Sequence, residues 1–445
     1  MTPGSWDRRA LFRGAGWYAM VGRAGFLVRL LAAATVLVGC AAPPADAPAA
    51  WVAANAIPLR GVDPLACGAD LVPLAAAIGD AQVVGLGEAV HGVAEEITAK
   101  HRLLRLLVEQ AGFRSVAWED DWTVGLLVDD YVRGGPADLG AVLAKMSPQW
   151  QSRQVAEVLR WLRAFNTGRL DPVRFVGVEY YLTRASAYDA VEAYVAAAAP
   201  AELAVLRADL RPLRPGTDDM FAFVAQVMAA PDKRARLDRA RRVQGLVERL
   251  PDGPDQALAA HHAAQIVAFW EHYSLPDADA LVYRDAHAAA NLRWWRDRSG
   301  DKVVFWAATP HTANAPALRI GGPPGPDLRF PSVGSYLRAW YGERYRSVGV
   351  TPGRGSASLG EGQTAALADP APDRFEKPLS DAGPDVFALD LRRPAPPAVR
   401  AWLAAPATFR GVADRGDAGF LDGGSPTQWF DLVVFHRTAT PAGMP

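Results

Sequence analysis

Residues 83–92, Val-Val-Gly-Leu-Gly-Glu-Ala-Val-His-Gly, set an apolar run directly against a glycine turn that carries an acid and an imidazole. A run this apolar fits a strand buried on both faces, which is the environment of a parallel sheet covered by helices. Such a strand delivers the residues that follow it to the sheet's carboxyl edge, where open α/β sheets hold their ligands. Glu88 and His91 are therefore the first candidates for chemistry, because an acid and an imidazole three residues apart in a tight turn can share a proton.

The remainder of the chain fits the same class. Residues 94–111 place Ile97, Leu103, Leu104 and Leu107 at helical spacing, and Gly112 closes that helix. Residues 114–118 form a second strand, 121–132 and 154–165 amphipathic helices, and 172–178 a third strand. From 184 to 298 the pattern turns to Ala-rich helix punctuated by Pro200, Pro212, Pro215, Pro231, Pro251 and Pro276. We read a helical insertion, or lid, inside a domain spanning 61–440. The sheet resumes at 302–306, with further strands at 345–350, 386–391 and 432–436. Segments 312–332 and 351–382, rich in Gly, Pro and Ser, read as long loops. The expected architecture is α/β, a mostly parallel sheet flanked by helices with a large all-helical insertion between strands.

Residues 1–40 read as a lipoprotein signal peptide. Arg23 and Arg29 precede an apolar segment, 30–38, that is too short to span a bilayer but suits a signal. It ends Leu-Val-Gly-Cys, which resembles a bacterial lipobox and implies acylation of Cys40, leaving Cys67 unpaired. The bland alternative is an N-terminal core helix. Arg8-Arg9-Ala10-Leu11-Phe12 is similar to a twin-arginine export signal, and Met20 is an alternative start. The Pro/Ala-rich stretch 41–60 reads as a linker, so the expected location is the bacterial envelope, with membrane contact through the lipid anchor only. The balance of 47 basic against 48 acidic side chains offers nothing to draw the chain onto nucleic acid.

Four apolar strands each finish in titratable residues: Glu88 with His91, Glu119, Glu179 and His311. Because βαβ crossovers make such strands parallel, these ends open on one edge and imply a shared pocket. Singly, each has a plainer reading. Glu119 suits a helix N-terminus, His91 a cap, and His311 an ordinary loop. Lys100, on the next helix, is either a pocket residue or a solvated lysine. His101, His261, His262, His272, His287 and His436 read as structural. Trp118, Trp122, Trp150, Tyr180, Tyr181 and Trp306 are candidate pocket walls; Lys100, Glu179 and Trp122 are the expected substrate contacts. There is no Gly-x-Ser-x-Gly elbow, P-loop or dinucleotide fingerprint, and Cys67 has no adjacent base, which disfavours a serine or cysteine nucleophile. What remains is a base-activated water: His91, assisted by carboxylates, takes a proton from water that attacks a carbonyl, with His311 or Lys100 facing the oxyanion. This scheme calls for no metal and no cofactor.

In order along the chain, Gly85-Leu-Gly-Glu88-Ala-Val-His91-Gly92, Lys100-His-Arg-Leu103, Gly112-Phe-Arg114, Glu119, Tyr131-Val-Arg133, Trp161-Leu-Arg163, Val173-Arg-Phe175 with Gly177, 303–311, 345–349 and 353–356 resemble the erythromycin esterase family, bacterial hydrolases that open the lactone ring of macrolides. The resemblance runs from about Leu71 to Arg437. It implies a histidine general base at His91, glutamates at Glu88 and Glu119, a basic residue at Lys100, a histidine at His311, and an α/β core with a helical insertion over the cleft. The family's better-studied esterases carry another histidine at the position of Ala308, a departure that bears on macrolide specificity more than on hydrolysis. The expected substrate is a small-molecule ester or lactone. Two rivals stand beside this reading: a haem- or metal-binding envelope lipoprotein of related fold, with His91 and His311 as ligands, and another hydrolytic or transfer reaction on envelope glycans or peptides using the same base.

Overall fold

The computed structural model describes residues 47–444 apart from 67, 324 and 412–417. The signal segment with Cys40, and also Cys67, lie outside the described residues. In chain order the strands are β1 (Ile57–Pro58), β2 (Val83–Glu88), β3 (Phe113–Asp121), β4 (Arg174–Glu179), β5 (Lys302–Ala308), β6 (Leu318–Gly321), β7 (Leu328–Phe330), β8 (Tyr345–Gly360), β9 (Gln363–Leu367), β10 (Val386–Asp390), β11 (Phe409–Arg410), β12 (Phe420–Asp422) and β13 (Leu432–Ala439).

Every residue of β2 is buried. Its side chains alternate: Val84 and Leu86 pack with Leu103, Leu104 and Leu107 on one face, while Val83 packs with Leu292, Val333 and Leu337 on the other. Each such side chain, fully buried, stabilises the fold by about 1.5–3 kcal/mol. Gly85 and Gly87 are glycines for a steric reason. A Cβ at Gly87 would overlap the Thr312 hydroxyl, and one at Gly85 the Tyr345 hydroxyl.

Among the described residues the main sheet has nine strands in the order β1-β10-β13-β8-β2-β5-β3-β4, with β9 paired to β8. From β13 through β4 the pairing is parallel, whereas β10 pairs antiparallel with both β13 and β1. The chain makes β2, β3 and β4 and then leaves the sheet for a helical layer running from Ala185–Ala198 to Asp277–Ser299. That layer has its own core, in which Tyr188, Val191, Phe223, Leu237, Ile266 and Trp270 meet. The chain returns as β5, which slots between β2 and β3. Residues remote in sequence therefore end on one edge. No helix among the described residues is long and apolar enough to cross a membrane.

Three expectations need correction. The stretch 41–60 is not a tether throughout: Ala47–Asn55 is helical, with Trp51 and Val52 buried against the core around Leu379 and Val399, and β1 pairs with β10. Segment 312–332 is not a plain loop, because β6 and β7 join β11 and β12 in a small antiparallel sheet. Segment 351–382 carries most of β8, then β9 and the helix Glu376–Ala382.

Candidate active site

Glu88 is the last residue of β2, in register with Ala308 of β5 and Val350 of β8. The turn that follows is fixed from two sides. Glu96, in the first turn of the helix Ala94–Gln110, accepts the Ala89 and Val90 N–H groups at 2.8 and 3.1 Å. Gly92, at φ +78°, lies where a Cβ would overlap the Ser358 carbonyl of β8. The turn thereby aims His91 back at its own strand, with Nδ1 2.6 Å from Glu88 Oε1. The imidazole packs edge-on over Trp150 and keeps 34% of its side chain exposed.

The other Glu88 oxygen accepts from Lys100 Nζ at 2.8 Å. Burial alone would raise the Glu88 pKa, but the Lys100 charge and the His91 hydrogen bond outweigh it and hold the carboxyl below its ordinary range. Burial likewise opposes a charged His91, yet the hydrogen bond and charge of Glu88, with Glu119 beyond, raise the imidazole's pKa. Burial lowers the Lys100 pKa, against the pull of Glu88. Burial, reinforced by Glu88, pushes Glu96 well above the usual carboxylate range.

Glu119 projects from β3 toward the same edge. Its Oε2 accepts the Ala308 N–H at 2.8 Å, and its Oε1 lies 3.2 Å from His311 Nε2 and 3.1 Å from Arg284 Nη2. Burial is outweighed by His311, His91 and Arg284, and the Glu119 pKa falls well below its ordinary value. Glu179, ending β4, receives Arg284 Nε at 3.0 Å and Nη2 at 2.8 Å. Burial still raises it, only partly offset by Arg284. His311 Nδ1 stands 3.0 Å from both oxygens of Asp285. Burial works against its charge, but Asp285 and Glu119 lift the His311 pKa to about 10.

Glu88, His91, Glu119, Glu179 and His311 thus do lie at one edge. Two expected substrate contacts are sealed from solvent. Lys100 is neither solvated nor open to a ligand: it is fully buried, bonded to Glu88 and to the Ala307 carbonyl at 3.0 Å, with Nζ 4.4 Å above the Trp306 ring. Trp122 is also fully buried. Its indole N–H goes to His262, and its ring packs on His261 and Trp294. Of the other aromatics, Trp118, Trp150, Tyr180 and Trp306 are core residues, and Tyr181 lies beneath Arg284. A cavity of about 170 Å³ borders Asp369, Arg374, Glu376 and Arg410, and none of its lining residues belongs to the acid–imidazole cluster. Sequence reasoning missed Glu96, Arg284 and Asp285. The latter two sit in the helix Asp277–Ser299, where a charged dipeptide has no local signature distinguishing it from a solvated face.

The comparisons with known proteins agree with this architecture. The erythromycin esterase family model matches residues 108–439. Erythromycin esterase type II from Escherichia coli is 29% identical over 131 residues, 29% of this chain, and the match spans only 30% of that relative's length. Among solved structures, a Bacillus cereus protein superposes with a TM-score of 0.79 at 23% identity, covering 90% of this chain and 99% of that one. A succinoglycan biosynthesis protein gives 0.76 at 22%, covering 89% and 98%. A mutant of the erythromycin esterase EreC in its open conformation gives 0.66 at 15%, covering 86% and 97%. With the family model matching most of its length, the chain belongs to the erythromycin esterase family.

Proposed function

We propose that the protein is a hydrolase that directs water onto the carbonyl of an ester or lactone, with His91 as general base. The observation that carries this reading is the 2.6 Å contact between His91 Nδ1 and Glu88 Oε1 on a ring that stays partly exposed. Nδ1–H donated to Glu88 leaves the Nε2 lone pair to take a proton from water. The resulting hydroxide forms the new C–O bond, and collapse of the tetrahedral intermediate breaks the bond to the leaving alkoxide, to which His91 returns the proton. Lys100 contributes from below, keeping Glu88 ionised. Positive charge for the developing oxyanion comes from His311 and Arg284; the bonds of Arg284 to Glu119 and Glu179 use Nε and Nη2. Ligation of haem or metal through His311 would first have to break one of its two carboxylate contacts, which argues for the hydrolytic reading over the binding one.

Ala308, in register with Glu88, stands where the family's better-studied esterases have a histidine. This edge therefore has one imidazole fewer, and simple esters belong beside macrolactones in any substrate panel. Acylation at Cys40, supported by the Leu-Val-Gly-Cys sequence, would tether the enzyme to the bacterial envelope. The decisive experiment is His91→Asn assayed on esters and lactones that the unsubstituted protein turns over. We expect kcat to fall by about 10²–10⁴-fold with Tm unchanged, and full retained activity would remove His91 from the mechanism.

A further inference from the structure

Arg284 and Asp285, consecutive residues of the helix Asp277–Ser299, both reach the edge where the strands end. Arg284 bridges Glu119 and Glu179. Asp285 is 1% exposed; it faces His311 Nδ1 with both oxygens at 3.0 Å, and its Oδ2 also accepts the Val333 N–H at 2.9 Å. Across the ring, His311 Nε2 faces Glu119 Oε1 at 3.2 Å. A neutral imidazole has one donor and one acceptor. A ring with carboxylate oxygens at both nitrogens satisfies both contacts only when it carries two N–H groups.

We propose that Asp285, supplied by the helical layer, is a positioning residue that holds His311 as a standing imidazolium between two carboxylates, so that His311 provides fixed charge and His91 alone accepts a proton. This rests on the hydrolytic reading above and deepens it. The groups facing the ring are Glu119 from β3, Glu179 from β4, and Arg284 and Asp285 from the insertion helix. Tyr336, on the helix Val333–Tyr341, faces Asp285, and the uncharged Phe330 ring of β7 lies 6.1 Å from the imidazole. Arg284 opposes the charge, and the nearer pair of carboxylates prevails.

The test joins NMR of the His311 ring nitrogens in the full chain with the pH profile of Asp285→Asn. In the unsubstituted protein both nitrogens should stay protonated from about pH 6 to 9. In Asp285→Asn, an uncharged near-isostere, the ring should titrate within that range. The kcat/KM of this variant should stay close to that of the unsubstituted enzyme at the acid end and fall about tenfold per pH unit above the new pKa. Asp285→Glu should restore the flat alkaline limb. An unsubstituted ring that titrates in the ordinary imidazole range, or an unchanged pH profile in Asp285→Asn, overturns the proposal. If the Asn variant does not fold, the spectrum of the unsubstituted protein decides alone. Because that spectrum needs no substrate, it separates failure here from failure of the hydrolytic reading, which an active His91→Asn enzyme would bring.

Discussion

At the scale of single residues, the site is a chain of opposite charges in which each group's protonation is set by its neighbour. A base must be neutral to act, and Glu88 favours the His91 imidazolium. Activity should therefore rise with pH through a pKa above the ordinary 6.5 of an imidazole. Glu88→Gln removes that pull, so the acid limb of kcat/KM should move to lower pH. The same change strands Lys100 without its counter-charge, a loss of about 3–5 kcal/mol for a broken buried pair. Adding Lys100→Met should recover most of the melting temperature while leaving the limb displaced; a limb that stays put in both variants would refute the coupling. Glu88, His91, Glu119 and His311 were legible because each lies at or within three residues of the end of an apolar strand, and strand ends declare their position in sequence. Lys100 and Trp122 were misread because the helical period says which face a side chain is on, not whether something already occupies it. Arg284 and Asp285 were invisible because only the packing of the insertion helix on the sheet brings them to this edge.

At the scale of elements, the turn between β2 and the helix Ala94–Gln110 carries the most constraint. Gly92→Ala would need a left-handed backbone for an L side chain and would drive a Cβ into the Ser358 carbonyl. We expect a loss of about 1–3 kcal/mol from strain of this kind and a fall in kcat larger than any change in KM, because the displaced turn carries His91. An unperturbed Tm and kcat would show that the turn has more freedom than its contacts imply. The long strands and the helical layer followed from apolar periodicity. The helix Ala47–Asn55 did not, since only Trp51 and Val52 anchor it and its Pro/Ala composition suggests a tether. The two-residue β1 holds its shape only through β10, a partner far away in sequence. The later part of β8 was hidden by Pro352, Gly353 and Gly355, where the backbone runs close against β13 and leaves no room for side chains.

At the scale of the whole molecule, buried histidines set the response to acid. Burial depresses His101 to about 3 and His262, His272 and His287 to about 4, with His261 well below its ordinary value. The unfolded chain takes up these protons first, so stability present above about 6.5 should drain away as pH falls toward 4, by on the order of 3 kcal/mol for a fully buried ring. Asp120 and Asp121 act in the opposite sense. Burial raises them from 3.8 to about 7 and 6, so the unfolded chain gives up these protons first and the stability they contribute in acid drains away as pH rises from about 3.8 to these folded values. Because its contribution is lost over this window, His262→Gln should narrow the gap between melting temperatures at about pH 7 and 4.5. An undiminished gap would exclude His262 as a contributor. The placement of β5 between β2 and β3 has a consequence for biosynthesis. A ribosome that has released the chain only as far as Ser299 has made both neighbours of the missing strand but not β8, so the nascent polypeptide carries β2 unzipped on both borders and β3 on one until translation moves on. A truncation ending there should be aggregation-prone and a client for chaperones.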